Sequence, residues 1–226
     1  MDEPTQIKDV LKKTVENMSS PSVPLPSLNS DAHWYENNDA IQKLKANEYW
    51  HLSKVPKLHS NAPLRTELEW AKVMEHCRST VTRKEKRGSI IALIGNRGTG
   101  KTQIGVESIR HACLALYTCA YRRAFDIFLA TRAAMKSQHT NESEVMRELL
   151  DVGLLVIDEM QERGETPFED RLLVYLLDKR YGNMTDTILI ANQTPGEFTA
   201  ALGPSITDRI RESGGIIECA WESFRK

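Results

Sequence analysis

The stretch GNRGTGKT at 95–102 carries the densest chemistry in the chain. Gly95, Gly98 and Gly100 let a backbone wrap closely with its N–H groups pointing inward, as an anion requires. Asn96, Arg97, Thr99 and Gln103 complete the segment expected to touch the ligand. An apolar run precedes it and a helical segment follows, whose N-terminus adds partial positive charge. In that setting Lys101 reaches the β- and γ-phosphates of a nucleotide as a point charge, and Thr102 offers its hydroxyl to magnesium. ATP and Mg2+ are therefore the expected ligands.

A second group sits in LLVIDEM at 154–160. A run of Leu, Leu, Val and Ile suits a strand buried on both faces. Its carboxylates then emerge at the strand's C-terminal end, where open α/β sheets bind ligands. Asp158 is placed to hold magnesium through its water shell, and Glu159 to orient or deprotonate an attacking water. Such an acid pair argues for hydrolysis and against a small-molecule kinase. Asn192, at the end of a strand over Thr187–Ala191, is expected to position the same water, although Asn also ends strands as a turn former. Arg209 and Arg211 lie in a polar helical stretch, ITDRIRESGG at 206–215, well past these motifs. There Arg209 reads either as an arginine finger offered to a neighbouring subunit or as a surface arginine.

These residues need a scaffold, and the pattern supplies one. Apolar runs suited to buried strands occur at 89–94, 115–121, 152–157, 186–191 and 215–219, with helical patterns between them. That alternation predicts an α/β fold with a parallel sheet covered by helices on both faces. A helix is expected over 65–80. Another is expected over 167–181, with Thr166 as N-cap, Pro167 at the first position, Glu169 completing a capping box and Gly182 as the stop.

Upstream of residue 61 the pattern is different. Residues 1–18 read as a short amphipathic helix, 19–30 (SSPSVPLPSLNS) as an extended Pro/Ser linker, and 31–52 as a second helix. Trp34, Tyr35, Leu44, Tyr49 and Trp50 on that helix form either a small core or a docking surface. The chain thus divides into a helical partner-binding region, 1–60, and a compact domain, 61–226.

Composition narrows the classes. With 226 residues and a net charge of -1, the chain has no bulk field for nucleic acid, so any DNA contact needs a local basic surface. No apolar stretch is long enough to span a membrane, and the acidic start MDEPTQ lacks the apolar core of a signal peptide. A cytoplasmic location is expected. The scattered Cys77, Cys113, Cys119 and Cys219 suit reduced core thiols, with a metal site on His111, Cys113 and Cys119 as the weaker alternative.

Taken together, the phosphate loop, LLVIDE, DKRYGNMTDTILIANQT and DRIRESGGIIECAWESFR resemble the DnaC/IstB branch of AAA+ ATPases over residues 65–226, helicase loaders above all. The resemblance implies a five-stranded parallel sheet of order 5-1-4-3-2, with no C-terminal lid and hence no lid arginine. It makes Lys101 and Thr102 the Walker A residues, Asp158 and Glu159 the Walker B residues, Asn192 sensor 1 and Arg209 the arginine finger. It also implies self-assembly through the ATP site around single-stranded DNA, and an N-terminal region gripping a replicative DNA helicase. The stretch 122–148 would face the DNA, with Arg123, Arg132 and Lys136 supplying charge. A loader, a transposase-helper ATPase of the same branch, and a nucleotide-dependent switch that never turns over all share these motifs.

Overall fold

Short segments, apolar throughout over Ile90–Ile94 and mostly so over Leu154–Asp158 and Asp186–Ile190, become the strands, and amphipathic or buried segments between them become the helices. The computed structural model describes residues 30–81, 83, 88–136, 142–164 and 166–225, with side chains from residue 39 onward except at 142. The expected helix over 1–18 and nearly all of the linker over 19–30 lie outside the described residues. Contacts divide the chain into units of 1–39 and 40–226, and apart from residues 30–39 of the first helix the elements below lie in the second. In chain order the helices are α1 (Ser30–Leu52), α2 (Lys57–Ser60), α3 (Leu68–Val81), α4 (Lys101–Leu114), α5 (Ala124–Lys136), α6 (Glu142–Leu150), α7 (Pro167–Gly182), α8 (Pro195–Leu202) and α9 (Pro204–Ser213). The strands are β1 (Ile90–Ile94), β2 (Cys119–Arg123), β3 (Leu154–Asp158), β4 (Asp186–Ile190) and β5 (Gly215–Glu218).

The sheet is parallel throughout, in the order β2-β3-β4-β1-β5. Read from its other edge, this is the expected 5-1-4-3-2. β1, β3 and β4 are buried at every position, as parallel strands covered on both faces must be. Period-two alternation sorts their side chains between two cores. Ile90, Ala92, Ile94, Leu155, Ile157 and Leu189 face a core shared with Phe128, Leu149, Leu173, Leu177, Phe198 and Ile210. Ile91, Leu93, Val156, Ile188 and Ile190 face the other, which holds Trp70, Cys77, Ile104, Ile109 and Cys113. Tyr49, Trp50, Trp221 and Phe224 pack against that second core. Tyr49 and Trp50 thus belong to packing in the second unit, whereas Leu44 is exposed.

β2 starts later than the expected run at 115–121. α4 continues to Leu114, and Leu116 takes a left-handed backbone (φ 63) in the turn that follows. The apolar run therefore joins a helix end, a turn and a strand start. At α7, Thr166 accepts from the Glu169 backbone N–H, but the Glu169 carboxylate goes elsewhere, to Arg132 and the Gly164 N–H. The reciprocal capping box forms instead at α8, between Thr194 and Glu197. Gly182 is the last residue of α7 and not its stop; Asn183 caps the helix.

Arg180, on α7, is completely buried. Its guanidinium donates to Thr187 Oγ1 at 2.9 Å, to the Leu149 and Val152 carbonyls at 2.6 and 2.9 Å, and to the Asp186 carbonyl. It thereby joins the end of α6 to the start of β4. On the other side of β4, Asp186 Oδ1 accepts from the Gly88 and Ser89 N–H groups, each at 2.9 Å, and holds the lead-in to β1. Replacing Arg180 by Met keeps bulk and leaves several buried carbonyls without donors. Arg180→Met is expected to lose about 3 kcal/mol of stability, read as a lower urea midpoint.

Candidate functional site

The C-terminal ends of β1, β3 and β4 lie side by side because the strands are parallel and in register. Each end carries part of the site: the loop from Gly95, the acids Asp158 and Glu159, and Asn192. They line a cleft of about 460 Å³ together with Arg97, Gly98, Gly100, Lys101, Thr102 and Gln103. The loop turns through left-handed glycines, with φ 120 at Gly95, 84 at Gly98 and 80 at Gly100. Lys101 opens α4, and its buried ammonium donates to the Gly95 and Asn96 carbonyls at 2.8 and 2.6 Å. Burial lowers its pKa, partly offset by the Asp158 carboxylate.

Asp158 is the junction of the site. Its Oδ2 accepts from Thr102 Oγ1 at 2.8 Å and from the Tyr121 hydroxyl at 2.7 Å, and its Oδ1 from the Glu159 N–H at 2.7 Å. The two residues expected to share magnesium are therefore in direct contact. Glu159 has a left-handed backbone (φ 55) that turns its side chain away from the strand direction. Its Oε2 is buried without a hydrogen-bond partner, and Arg123 Nη1 stands 3.9 Å away. Burial raises the Glu159 pKa first, followed by the neighbouring Glu162 and Asp158 charges, while Arg123 opposes the rise. The Asn192 N–H donates to Gln161 Oε1 at 2.9 Å, which steadies that strand end beside the acids.

The back of the loop is held by residues that the motifs do not reveal. Trp221 Nε1 donates to the Thr99 carbonyl at 2.9 Å, the Phe224 N–H to Gly98 O at 2.9 Å, and Trp70 Nε1 to Gly100 O at 3.3 Å. A Cβ on Gly98 would come within 2.1 Å of Ser223 Oγ, so a larger residue there displaces the serine hydroxyl and also strains the left-handed backbone. Arg65 and Arg225 also line the cleft, so it holds two arginines from outside the expected motifs. Leu58 and His59 of α2 close another wall, anchored through the Ser60 carbonyl by Arg110, which stacks 4.2 Å over Trp50.

Other expected residues lie elsewhere. Arg123, the last residue of β2, forms a bidentate pair with Asp126 at 2.9 and 3.0 Å and stands 3.9 Å from Glu159. Arg132 is held by Glu169 at 2.8 Å, while Lys136 stands exposed at the end of α5. Arg209 is outside the cleft of its own chain, paired with Asp178 and 3.2 Å from Ser205 Oγ. Arg211 is exposed beside Asp208. The metal alternative at His111 fails: its Nδ1 accepts from Arg78, and among the described residues no His/Cys/Asp/Glu group is arranged to hold a metal ion. All four cysteines are free and buried. Burial pushes the Cys77 thiol up to about 12.

A glycine loop leading into a helix, with a hydroxyl and a carboxylate meeting beside it, defines a P-loop nucleotide-binding domain. The donor set fits a nucleoside triphosphate and its magnesium: inward-turning loop, buried ammonium, Thr102–Asp158 pair and an orphaned carboxylate oxygen. The chain belongs to the IstB-like ATP binding protein family, whose model matches residues 66–226. It is 27% identical over 145 residues to the replicative helicase loader DnaC of Escherichia coli (strain K12), covering 63% of this chain and 59% of that protein. It is 29% identical over 135 residues to the uncharacterized protein YdaV of the same strain, covering 59% of this chain and 54% of that one. The matched stretch thus spans less than two thirds of either relative. In fold it resembles the crystal structure of the DnaC helicase loader, with TM-score 0.62 and 16% identity over 72% of this chain and 99% of that one. It also resembles the replication initiator DnaA bound to AMPPCP and single-stranded DNA, with TM-score 0.60 and 18% identity over 75% and 52%. Among the described residues no helix is long and apolar enough to cross a membrane.

The orphaned carboxylate has a consequence for stability. Because the folded chain holds the Glu159 proton more tightly than the unfolded chain, ionisation works against folding. That cost is absent below the ordinary Glu value of about 4.3, grows as pH rises toward the elevated folded value, and is constant above it. Glu159→Gln cannot ionise. It is expected to melt at a higher temperature than the wild type at neutral pH, with the difference shrinking as the scan is repeated toward about pH 4.

Proposed function

We propose that this chain binds and hydrolyses ATP and uses the two states as an assembly-and-release switch. It would load a replicative DNA helicase onto single-stranded DNA, in the cytoplasm. The observation that carries the ATPase reading is the arrangement at the end of β3. Asp158 is bonded to Thr102, while Glu159 is turned out of line with a buried, unpartnered oxygen and a raised pKa. One acid is engaged with the magnesium hydroxyl and the other is available for a proton. The loader reading rests on likeness to DnaC.

In this reading the loop N–H groups and Lys101 hold the phosphates, and Thr102 and Asp158 hold magnesium, which when bound neutralises charge on the phosphoryl oxygens. Glu159 accepts the proton of the attacking water, which Asn192 positions. Arg209, outside its own cleft, serves the site of a neighbouring subunit. Arg123, Arg132 and Lys136 are the proposed DNA contacts, and the region 1–60 the helicase contact. The family model favours one further reading, a transposase-helper ATPase of the IstB type.

One variant tests both levels. Glu159→Gln is expected to bind magnesium-ATP with wild-type affinity and to lose hydrolysis by about a hundredfold or more. Immobilised with ATP, it should capture the host's replicative helicase. Capture of a transposase instead selects the second reading, and hydrolysis at the wild-type rate removes Glu159 from the chemistry.

Arg209 is tested by mixing. Arg209→Ala should bind ATP and not hydrolyse it, and Lys101→Ala should not bind it. Combined with single-stranded DNA, the two should recover phosphate release, since one chain's Arg209 can serve the other's loaded site. No recovery in a co-assembled mixture would make Arg209 structural.

A further inference from the structure

We infer that Tyr121 is a positioning residue for the carboxylate of Asp158, fixing it for magnesium; the inference rests on the nucleotide reading of the cleft. Asp158 Oδ2 accepts from two hydroxyls of different character. Thr102 sits in the first turn of α4, half-buried at the cleft, and its hydroxyl turns about a single bond. Tyr121 is buried, and its hydroxyl is carried at the end of a rigid ring whose position is set by packing.

The ring has little freedom because its backbone is held from both sides. On one side β2 pairs with β3 in register, Tyr121 opposite Val156. On the other, the Tyr121 N–H donates to the Ser53 carbonyl at 2.8 Å, just past the end of α1. Ser53 is fully buried, and its own hydroxyl donates to the Trp50 carbonyl at 2.6 Å.

The two hydroxyls divide the work. When Thr102 turns its oxygen toward a ligand, Asp158 Oδ2 keeps the Tyr121 bond and Oδ1 keeps the Glu159 N–H. The carboxylate then neither rotates nor stands unsatisfied in a buried site. Outer partners of this kind set how well a carboxylate serves a metal. A phenylalanine at 121 would preserve the packing and remove only this restraint.

The test is calorimetric and needs no turnover. ADP binding is measured with excess magnesium and again with EDTA, for wild type and Tyr121→Phe, alongside the melting temperature of each nucleotide-free protein. The ratio of the two affinities is the magnesium contribution. Tyr121→Phe should reduce that ratio by about tenfold and leave ADP binding in EDTA unchanged. Tyr175→Phe, on the exposed face of α7, should leave the ratio at the wild-type value. If Tyr121→Phe lowers the melting temperature, or both affinities together, at constant ratio, the hydroxyl is only a satisfied core group and the inference is overturned. Wild-type protein that binds no ADP in either condition would overturn the nucleotide reading itself, and this inference with it.

Discussion

The structure depends on the pairing of β1 between β4 and β5. An apolar strand with both edges and both faces covered has one outlet for polar chemistry, its C-terminal end. From that end the loop begins, and there the neighbouring strands deliver Asn192 on one side and Cys219 on the other. The Cys219 N–H donates to the Ile94 carbonyl at 2.7 Å, which brings the following residues across the back of the loop. The Gly95 N–H donates to the Gln193 carbonyl at 3.0 Å and fixes the loop's first residue from the β4 side. The loop is thus suspended between two strand ends that are far away in sequence.

Around that suspended loop the charges are arranged in order of mobility. Lys101 is buried among carbonyls, Asp158 is bonded at both oxygens, and Glu159 has an oxygen left over. A buried carboxylate oxygen without a donor is costly. Here the cost falls on the residue proposed as the base, a role that needs an unengaged oxygen, a common form of tension between stability and activity. Arg123 stands close enough to limit that cost, while its bidentate bonds go to Asp126.

Much of this was legible in the sequence, and the parts that were not share a cause. The phosphate loop and the DE pair could be read because their chemistry depends on residues close together in the chain. Strand order followed from family resemblance and was reproduced in full. What escaped were contacts made at long separation by ordinary residue types. Tyr121 looks like one more aromatic in an apolar run, and the run itself concealed a helix end and a turn. Trp221 and Phe224 resemble loose aromatics of a tail until their contacts with Thr99 and Gly98 are seen. Nothing local to Arg180 reports the carbonyl groups of Leu149, Val152 and Asp186 that it serves. Both TPFE at 166–169 and TPGE at 194–197 fit a capping box. The first fails because Arg132 and the Gly164 N–H claim Glu169, whereas Glu197 is left to its own helix.

The suspension of the loop also bears on how the protein is made. A ribosome releases this chain from its N-terminus, so Gly95–Thr102 leaves the exit tunnel long before either of its supports. β4 follows some ninety residues behind β1, and Trp221 and Phe224 later still. Until then a nascent chain carries the whole phosphate-binding motif with no strand on either side of β1 to hold it. A loop held in this way takes its shape only once β4 and β5 are in place, and does not acquire it gradually with chain length.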